Sequence, residues 1–140
     1  MTDVPGTMVQ AMVDGIRIIV IGPRAPSDEE WDQHLVDAEA CLTATRGVLV
    51  FSPVAGPTSR QRAALGKHPA LLARPTAIVS ASRLTRGIVT AVSWLGGRPR
   101  AFSPDAVELA FDFLEVAASA RLRILRANDR MRSQLESPER

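Results

Sequence analysis

Cysteine and histidine are scarce in this chain of 140 residues, which contains one cysteine and two histidines. A single thiol, Cys41, excludes a disulfide within a monomer and a zinc site built on cysteine. Because Cys41 lies in an Ala- and Leu-rich helical segment, we interpret it as a small buried residue. His34 and His68 lie far apart in the sequence and in no metal-binding motif, so the sequence indicates no metal site.

The sequence also lacks the motifs that mark common enzyme classes. It has no G-x-S-x-G nucleophile elbow, no phosphate-binding P-loop and no G-x-G-x-x-G dinucleotide fingerprint. Three acids, Glu29, Glu30 and Asp32, fall in the first turn of an expected helix, where they offset the helix dipole. We therefore expect no catalytic residues, no cofactor and no enzymatic activity.

Long apolar runs are absent as well. The longest, such as 18–21, have the length of a strand and not of a membrane span. The N-terminus has no positively charged region followed by an apolar core, so we expect no signal peptide. We predict a cytoplasmic protein that does not associate with membranes.

The basic excess is small and belongs to one end of the chain. Residues 1–117 carry 11 basic and 12 acidic side chains, whereas residues 118–140 carry six arginines and three acids. Nucleic-acid-binding proteins usually show a strong basic stripe or a recognisable module. The charge pattern therefore does not indicate binding to nucleic acid.

Alternating strand and helix patterns predict an α/β fold. Asp14-Gly15 separates two apolar strands and is typical of a β-hairpin turn, and Ser27 with Glu30 forms a capping box at a helix start. Strands are expected at 9–13, 16–21, 48–51, 76–79 and 100–102. Helices are expected at 28–45, 59–66, 80–95 and 103–136. This order favours a small, mostly parallel sheet with an N-terminal hairpin, flanking helices and a long C-terminal helix.

The last helix is long for a domain of this size. Its 34 residues would span about 50 Å. A compact domain of this chain length has a radius of gyration of only about 14 Å. We therefore divide the chain into an α/β domain at 8–117, which should fold alone, and a basic helical extension at 118–136. Four residues repeat along the extension at coiled-coil spacing: Ile124, Asn128, Met131 and Leu135. The second half of this helix must project, bend back or bind a partner, and the pattern leaves open a self-association seam or a solvated extension.

Two strand-to-helix junctions carry candidate binding residues. In a parallel sheet such junctions meet ligands and partners. The first contains Thr58, Ser59 and Arg60, which either cap the helix or form a partner-binding or phosphorylation site. The second contains Ser80, Ser82, Arg83 and Arg86, which either bind an anion or pair with nearby acids.

Three stretches resemble the anti-sigma-factor antagonist (SpoIIAA-like) superfamily of STAS-type domains, in particular its bacterial STAS/SEC14-like branch. They read GVLVFSP at 47–53, GPTSRQR at 56–62 and TAIVSASRLTRGIVTAVSWL at 76–95, and RAFSP at 100–104 also fits. The likeness covers residues 8–117. It implies a small sheet flanked by helices, a role in protein–protein regulation and a Ser or Thr, here Thr58 or Ser59, phosphorylated by a partner kinase.

These observations favour a non-enzymatic regulatory or scaffold module that binds a protein partner, such as a kinase or an anti-sigma-like protein, through loops 53–60 and 80–86. A first alternative is a sensor that binds a small anion or nucleotide at the helix start Ser80–Arg86. A second is a self-assembling structural protein that oligomerises through its C-terminal helix.

Overall fold

A computed structural model describes residues 7–52, 57–81 and 98–136 of the chain, with the backbone alone at Glu136. Its sheet contains five strands, which follow one another in chain order: β1 (Met8–Val13), β2 (Ile16–Ile21), β3 (Gly47–Phe51), β4 (Pro75–Val79) and β5 (Arg98–Phe102). The described α-helices are α1 (Asp28–Ala40), α2 (Ser59–Leu65), α3 (Pro69–Leu72), α4 (Val107–Phe113) and α5 (Ala118–Glu136). Strand β1 is antiparallel to β2, and the other neighbours are parallel. The predicted fold class is confirmed.

The hairpin forms where the Asp-Gly dipeptide predicts it. Asp14 and Gly15 both have positive φ angles, of 53° and 80°, as a type I′ turn requires. The turn sets the register, in which Val13 lies opposite Ile16 and Met8 opposite Ile21. Strand β2 is buried along its whole length because helices cover both faces of the sheet beside it.

The two faces of the sheet pack differently. One, the core face, carries Ile16, Ile18 and Leu49, which form a continuous core with α4 and α5. The opposite face lies under α1, α2 and α3, and we call it the cavity face because a cavity separates it from these helices. On that face Val48 and Val50 of β3 are only half-buried, whereas Leu49 on the core face of the same strand is fully buried.

The expected continuous helix at 103–136 is wrong, because the chain turns between α4 and α5. Glu115 adopts a left-handed conformation with φ 56°. The amide of Glu115 donates to the Asp112 carbonyl at 3.1 Å, and that of Val116 donates to the Phe111 carbonyl at 2.9 Å. This is the Schellman pattern that ends helices, and Val116 and Phe111 are both in the core as the motif favours. Ser103 contributes no side-chain cap to the 3₁₀ turn Pro104–Ala106 that precedes α4.

The turn directs α5 back across the core face, where it packs on β1 and β2. Ile124, Met131 and Leu135 are buried in the main core. A side-chain carbon added at Gly22 would lie 3.1 Å from Cβ of Leu135, so the helix end approaches the end of β2 closely. Of the alternatives that the length of the helix leaves open, residues 118–136 therefore bend back, since their apolar stripe covers the sheet of their own chain.

Several other boundaries follow the sequence pattern. Helix α1 begins at the expected capping box, in which the Glu30 amide donates to Ser27 Oγ at 3.1 Å and the Ser27 amide donates to Glu30 Oε1 at 2.9 Å. The helix ends at Ala40, and a 3₁₀ turn at Leu42–Ala44 replaces the last expected residues. The helix predicted at 80–95 lies almost entirely outside the described residues.

Candidate functional site

A cavity of about 150 Å³ lies between the cavity face and helices α1 to α3. Strands β2, β3 and β4 form its floor, and the three helices and the Leu42–Ala44 turn form its roof. Most of its walls are apolar, including Ile19, Leu35, Val48, Val50, Leu72 and Ile78. Alternation along each strand explains this placement, because the neighbouring residues point into the core on the other side.

One charged side chain, that of Arg17, enters the cavity from near the start of β2. Arg17 is 6% exposed and lies between two fully buried isoleucines. Its Nη1 donates to Cys41 Sγ at 2.7 Å, and its Nη2 lies 3.4 Å from Nδ1 of His34. Its Nε is buried and has no hydrogen-bond partner. Among the described residues no carboxylate forms an ion pair with Arg17.

The other charged groups at the cavity are also basic. Arg74 and Arg98 contribute to the walls, and no acidic side chain is among the described residues that line it. Arg74 donates to the Thr45 carbonyl at 2.7 Å and to the Leu42 carbonyl at 3.2 Å. These bonds neutralise no charge, so the charged side chains among the described residues that line the cavity are all basic.

His34 lines the cavity beside the arginine and stays neutral. Burial and, to a smaller extent, the charge of Arg17 lower the pKa of His34 to about 4, with Asp37 partly opposing them. A neutral ring with an unprotonated Nδ1 accepts from the Arg17 guanidinium, which can only donate. The ring also contacts Trp31, with 5.3 Å between centroids. His34 therefore gives Arg17 a polar contact that carries no negative charge.

The roof is fixed by a buried glutamine that joins α1 to α2. Trp31 Nε1 donates to the Gln61 carbonyl at 2.9 Å. The Gln61 side-chain amide donates to the Pro26 carbonyl at 3.1 Å and to Asp28 Oδ1 at 3.2 Å. Gln61 is buried, so these bonds form out of water, and they connect the cavity wall to the start of α2.

The predicted residues Thr58, Ser59 and Arg60 lie at that start of α2, and all three are exposed. Thr58 is the helix cap, since its Oγ1 accepts from the Gln61 amide at 3.1 Å. Ser59 Oγ accepts from Arg62 Nη2 at 3.0 Å, and Arg60 pairs with Asp28 at 2.8 Å. Of the two hydroxyls, the structure gives Thr58 a capping role and leaves Ser59 at the surface.

The second predicted group is described only at its first member. Ser80 is half-buried after β4, and its amide donates to the Phe102 carbonyl at 3.0 Å. Ser82, Arg83 and Arg86 lie outside the described residues, so the predicted anion site stays a prediction.

The third predicted group, Ile124, Asn128, Met131 and Leu135, lies inside the fold and forms no surface for self-association. Asn128 is 6% exposed, and its Oδ1 has no hydrogen-bond partner. It borders a second cavity, of about 330 Å³, at the carboxyl ends of β3 and β4, with Ser52 and Arg132 also in its walls. The coiled-coil interpretation is wrong because these side chains pack on the protein's own strands.

The second histidine, His68, lies outside the cavity and contacts a neighbouring acid. His68 Nδ1 lies 2.9 Å from Glu39 Oε2. In the parts of the chain that the structure describes, no three His, Cys, Asp or Glu side chains gather into a group suited to a metal ion. In the same parts, no helix has the length and apolar character that a bilayer crossing demands.

Sequence reasoning missed Arg17, the most unusual residue of the cavity. A signal was present, because Arg17 is the one charge in the apolar run 16–21 and both faces of such a strand are usually buried. Cys41, expected to be a buried residue, is half-buried, and its sulfur is one of the few groups that contact the guanidinium.

Comparisons of this chain with protein families, with curated proteins and with solved structures found no match. The resemblance to STAS-type domains therefore stays a prediction, since a shared architecture does not by itself show a family.

Proposed function

We propose that this protein is a cytoplasmic, non-enzymatic regulatory module that binds a small apolar molecule in the cavity under α1 to α3. The cavity is the observation that carries the proposal. Natural cores contain few spaces larger than a water molecule, and this partly open space of about 150 Å³ has mostly apolar walls. A small apolar ligand bound there would remove this apolar surface from water.

The size of the cavity limits the ligand class. An apolar cavity of about 150 Å³ is known to hold a molecule as large as benzene, whereas pockets for drug-sized ligands measure about 300–1,000 Å³. A nucleotide does not fit here. The proposed ligand therefore has roughly the size of a single aromatic ring with one small substituent.

The contact between Trp31 and Gln61 supports a regulatory role. Trp31 lines the cavity, and Gln61 bonds to both Trp31 and the cap residue Thr58. A ligand that shifts α1 relative to the sheet would shift the exposed surface at Thr58–Arg60. Ligand occupancy would then change how a protein partner binds that surface.

Titration with toluene, followed by calorimetry and by the thermal unfolding temperature, tests the proposal. We expect saturable binding and a higher unfolding temperature, because toluene binds only the folded state. Val50→Phe should abolish binding by filling the cavity. The matched control is Val36→Phe, at an exposed position of α1, which should bind toluene as the parent chain does. If toluene does not bind to the parent chain, the proposal is wrong.

A second candidate function is a phosphorylation switch at Ser59, which the Arg62 contact favours. Arg62 Nη2 already bonds Ser59 Oγ at 3.0 Å, and a phosphate there would form charge-assisted hydrogen bonds with the guanidinium. We expect Ser59→Glu to keep the thermal transition of the parent chain and to change partner capture from a lysate, with Ser59→Ala as the control. An unfolded Ser59→Glu chain would show that the site is structural.

A further inference from the structure

We infer that the ligand of the cavity is a small monocarboxylate whose carboxylate group is bound by Arg17 while its apolar body fills the space under α1 to α3. This inference rests on the proposed function, because it requires the cavity to be a ligand site. It adds the chemical class of the ligand and the residue that selects it.

The charge of Arg17 carries the argument. A buried guanidinium without an anionic partner has lost its hydration and gained no ion pair, which is among the most unfavourable situations in a protein interior. The contacts that it makes, with a thiol sulfur and a neutral imidazole, compensate none of the charge. A bound anion would supply the missing partner inside the space that is already open.

The hydrogen-bond donors match a carboxylate in number. Arg17 Nε is a buried donor without an acceptor, and Nη1 and Nη2 each keep a second N–H beyond their contacts with Cys41 and His34. Neighbouring N–H groups of a guanidinium lie in one plane and suit the two oxygens of a carboxylate. The nearby hydroxyls are already engaged, with Thr45 Oγ1 donating to the Cys41 carbonyl and Thr76 Oγ1 to the Arg74 carbonyl. The remaining N–H groups of Arg17 satisfy a carboxylate and leave a phosphate dianion with unpaired oxygens.

The side chains that line the cavity disfavour a positively charged ligand. The basic side chains of Arg74 and Arg98 line the same cavity, and no acid does so among the described residues. A cation or a zwitterion would therefore be repelled. The apolar residues opposite favour an aromatic ring or a short branched aliphatic chain as the body of the ligand.

Benzoate and nitrobenzene form the probe pair, because the two molecules have the same shape and number of heavy atoms and differ in charge. Calorimetric titration of the full chain at pH 7 should show benzoate binding roughly ten- to hundredfold more tightly than nitrobenzene, as hydrogen bonds to charged groups imply. In Arg17→Met this preference should disappear. Arg123→Met, an exposed position on α5, removes an equal charge and should keep it.

The outcomes separate the two proposals. If nitrobenzene binds and benzoate binds no better, the carboxylate inference is overturned and the cavity remains a site for neutral ligands. If neither probe binds, the proposed function falls as well. If Arg17→Met fails to fold, Arg17→Lys is the second test. Lysine keeps the positive charge but lacks the planar pair of donors, so the preference for benzoate should fall severalfold. An unchanged preference would contradict the inference.

Discussion

At the scale of single residues, the protein keeps two side chains whose local free energy is unfavourable. Arg17 carries a buried charge without an ion pair, and Glu115 adopts a backbone conformation that favours glycine. The two residues differ in what they contribute to the fold. Glu115 ends α4 and allows the chain to reverse, whereas the charge of Arg17 forms no ion pair with a described residue. That contrast is why we assign Arg17 to ligand binding.

Glu115→Gly should raise the free energy of unfolding. Glycine adopts a φ of 56° without the steric cost of a side chain, and the greater entropy of an unfolded glycine offsets part of the gain. We expect a net stabilisation of roughly 0.5–1 kcal/mol, measured by urea denaturation. Glu115→Ala is the control and should be close to neutral. A destabilised glycine variant would mean that the Glu115 side chain itself stabilises the turn.

His34 should make the protein less stable in mild acid. The pKa of His34 is about 4 in the folded protein, against 6.5 ordinarily, because of burial and the neighbouring Arg17 charge. Between these values the unfolded chain binds more protons, so the free energy of unfolding is highest above pH 6.5 and falls as the pH drops towards 4. The loss should reach up to about 3 kcal/mol.

Denaturant unfolding at a series of pH values measures this loss. His34→Gln should remove most of the slope between pH 6.5 and 4, whereas His68→Gln, at a position paired with Glu39 near the surface, should retain it. An unchanged slope in His34→Gln would contradict the assignment.

At the scale of elements, α5 belongs to the core. Its buried face includes Ile124, Met131 and Leu135, and each such side chain contributes about 1.5–3 kcal/mol. Their sum approaches the whole stability of a typical domain. This reverses the expectation that residues 8–117 fold alone.

Truncation after Ala118 should therefore leave a chain without a cooperative thermal transition, as measured by near-UV circular dichroism. A milder pair of variants tests the same point within the full chain. Ile124→Ala should cost about 2–5 kcal/mol, and Leu122→Ala, on the exposed side of the same helix, should cost little. A truncated chain with a sharp transition would show that α5 is dispensable.

At the scale of the whole molecule, the burial of α5 changes the expected assembly state. The apolar stripe that suggested a coiled-coil seam is already covered by β1 and β2. We expect light scattering to give the monomer mass of 15.1 kDa across a concentration series. Ile124→Asp with Leu135→Asp should unfold the chain and not dissociate an oligomer. A mass that rises with concentration would contradict this expectation.

Local signals in the sequence were sufficient for most of the elements. The Asp14-Gly15 turn and the capping box of Ser27 and Glu30 lie where they were expected, because each depends on backbone angles and hydrogen bonds within a few residues. The mostly parallel sheet with its antiparallel hairpin was also expected, because strands that alternate with helices favour parallel pairing.

The break between α4 and α5 was missed for a physical reason. A Schellman turn is usually signalled by glycine, and here Glu115 takes that place in an otherwise helical pattern. What stabilises the turn is the packing of Phe111 and Val116 in the core together with Arg121, which donates to the Val116 carbonyl at 3.0 Å and pairs with Glu108 and Asp112. The spacing of apolar residues in the sequence does not predict any of these contacts.

The sequence by itself determined the fold class, the hairpin and the capping box of Ser27 and Glu30, because propensity, capping and apolar periodicity act over short distances. Only the tertiary structure decided which face each apolar stripe covers, and so whether Ile124 lies in a core or at a surface. It also decided the environment of Arg17. A cavity arises where α1, α2 and α3 meet the sheet, and its charge balance depends on residues that are distant in sequence and adjacent only once the chain has folded.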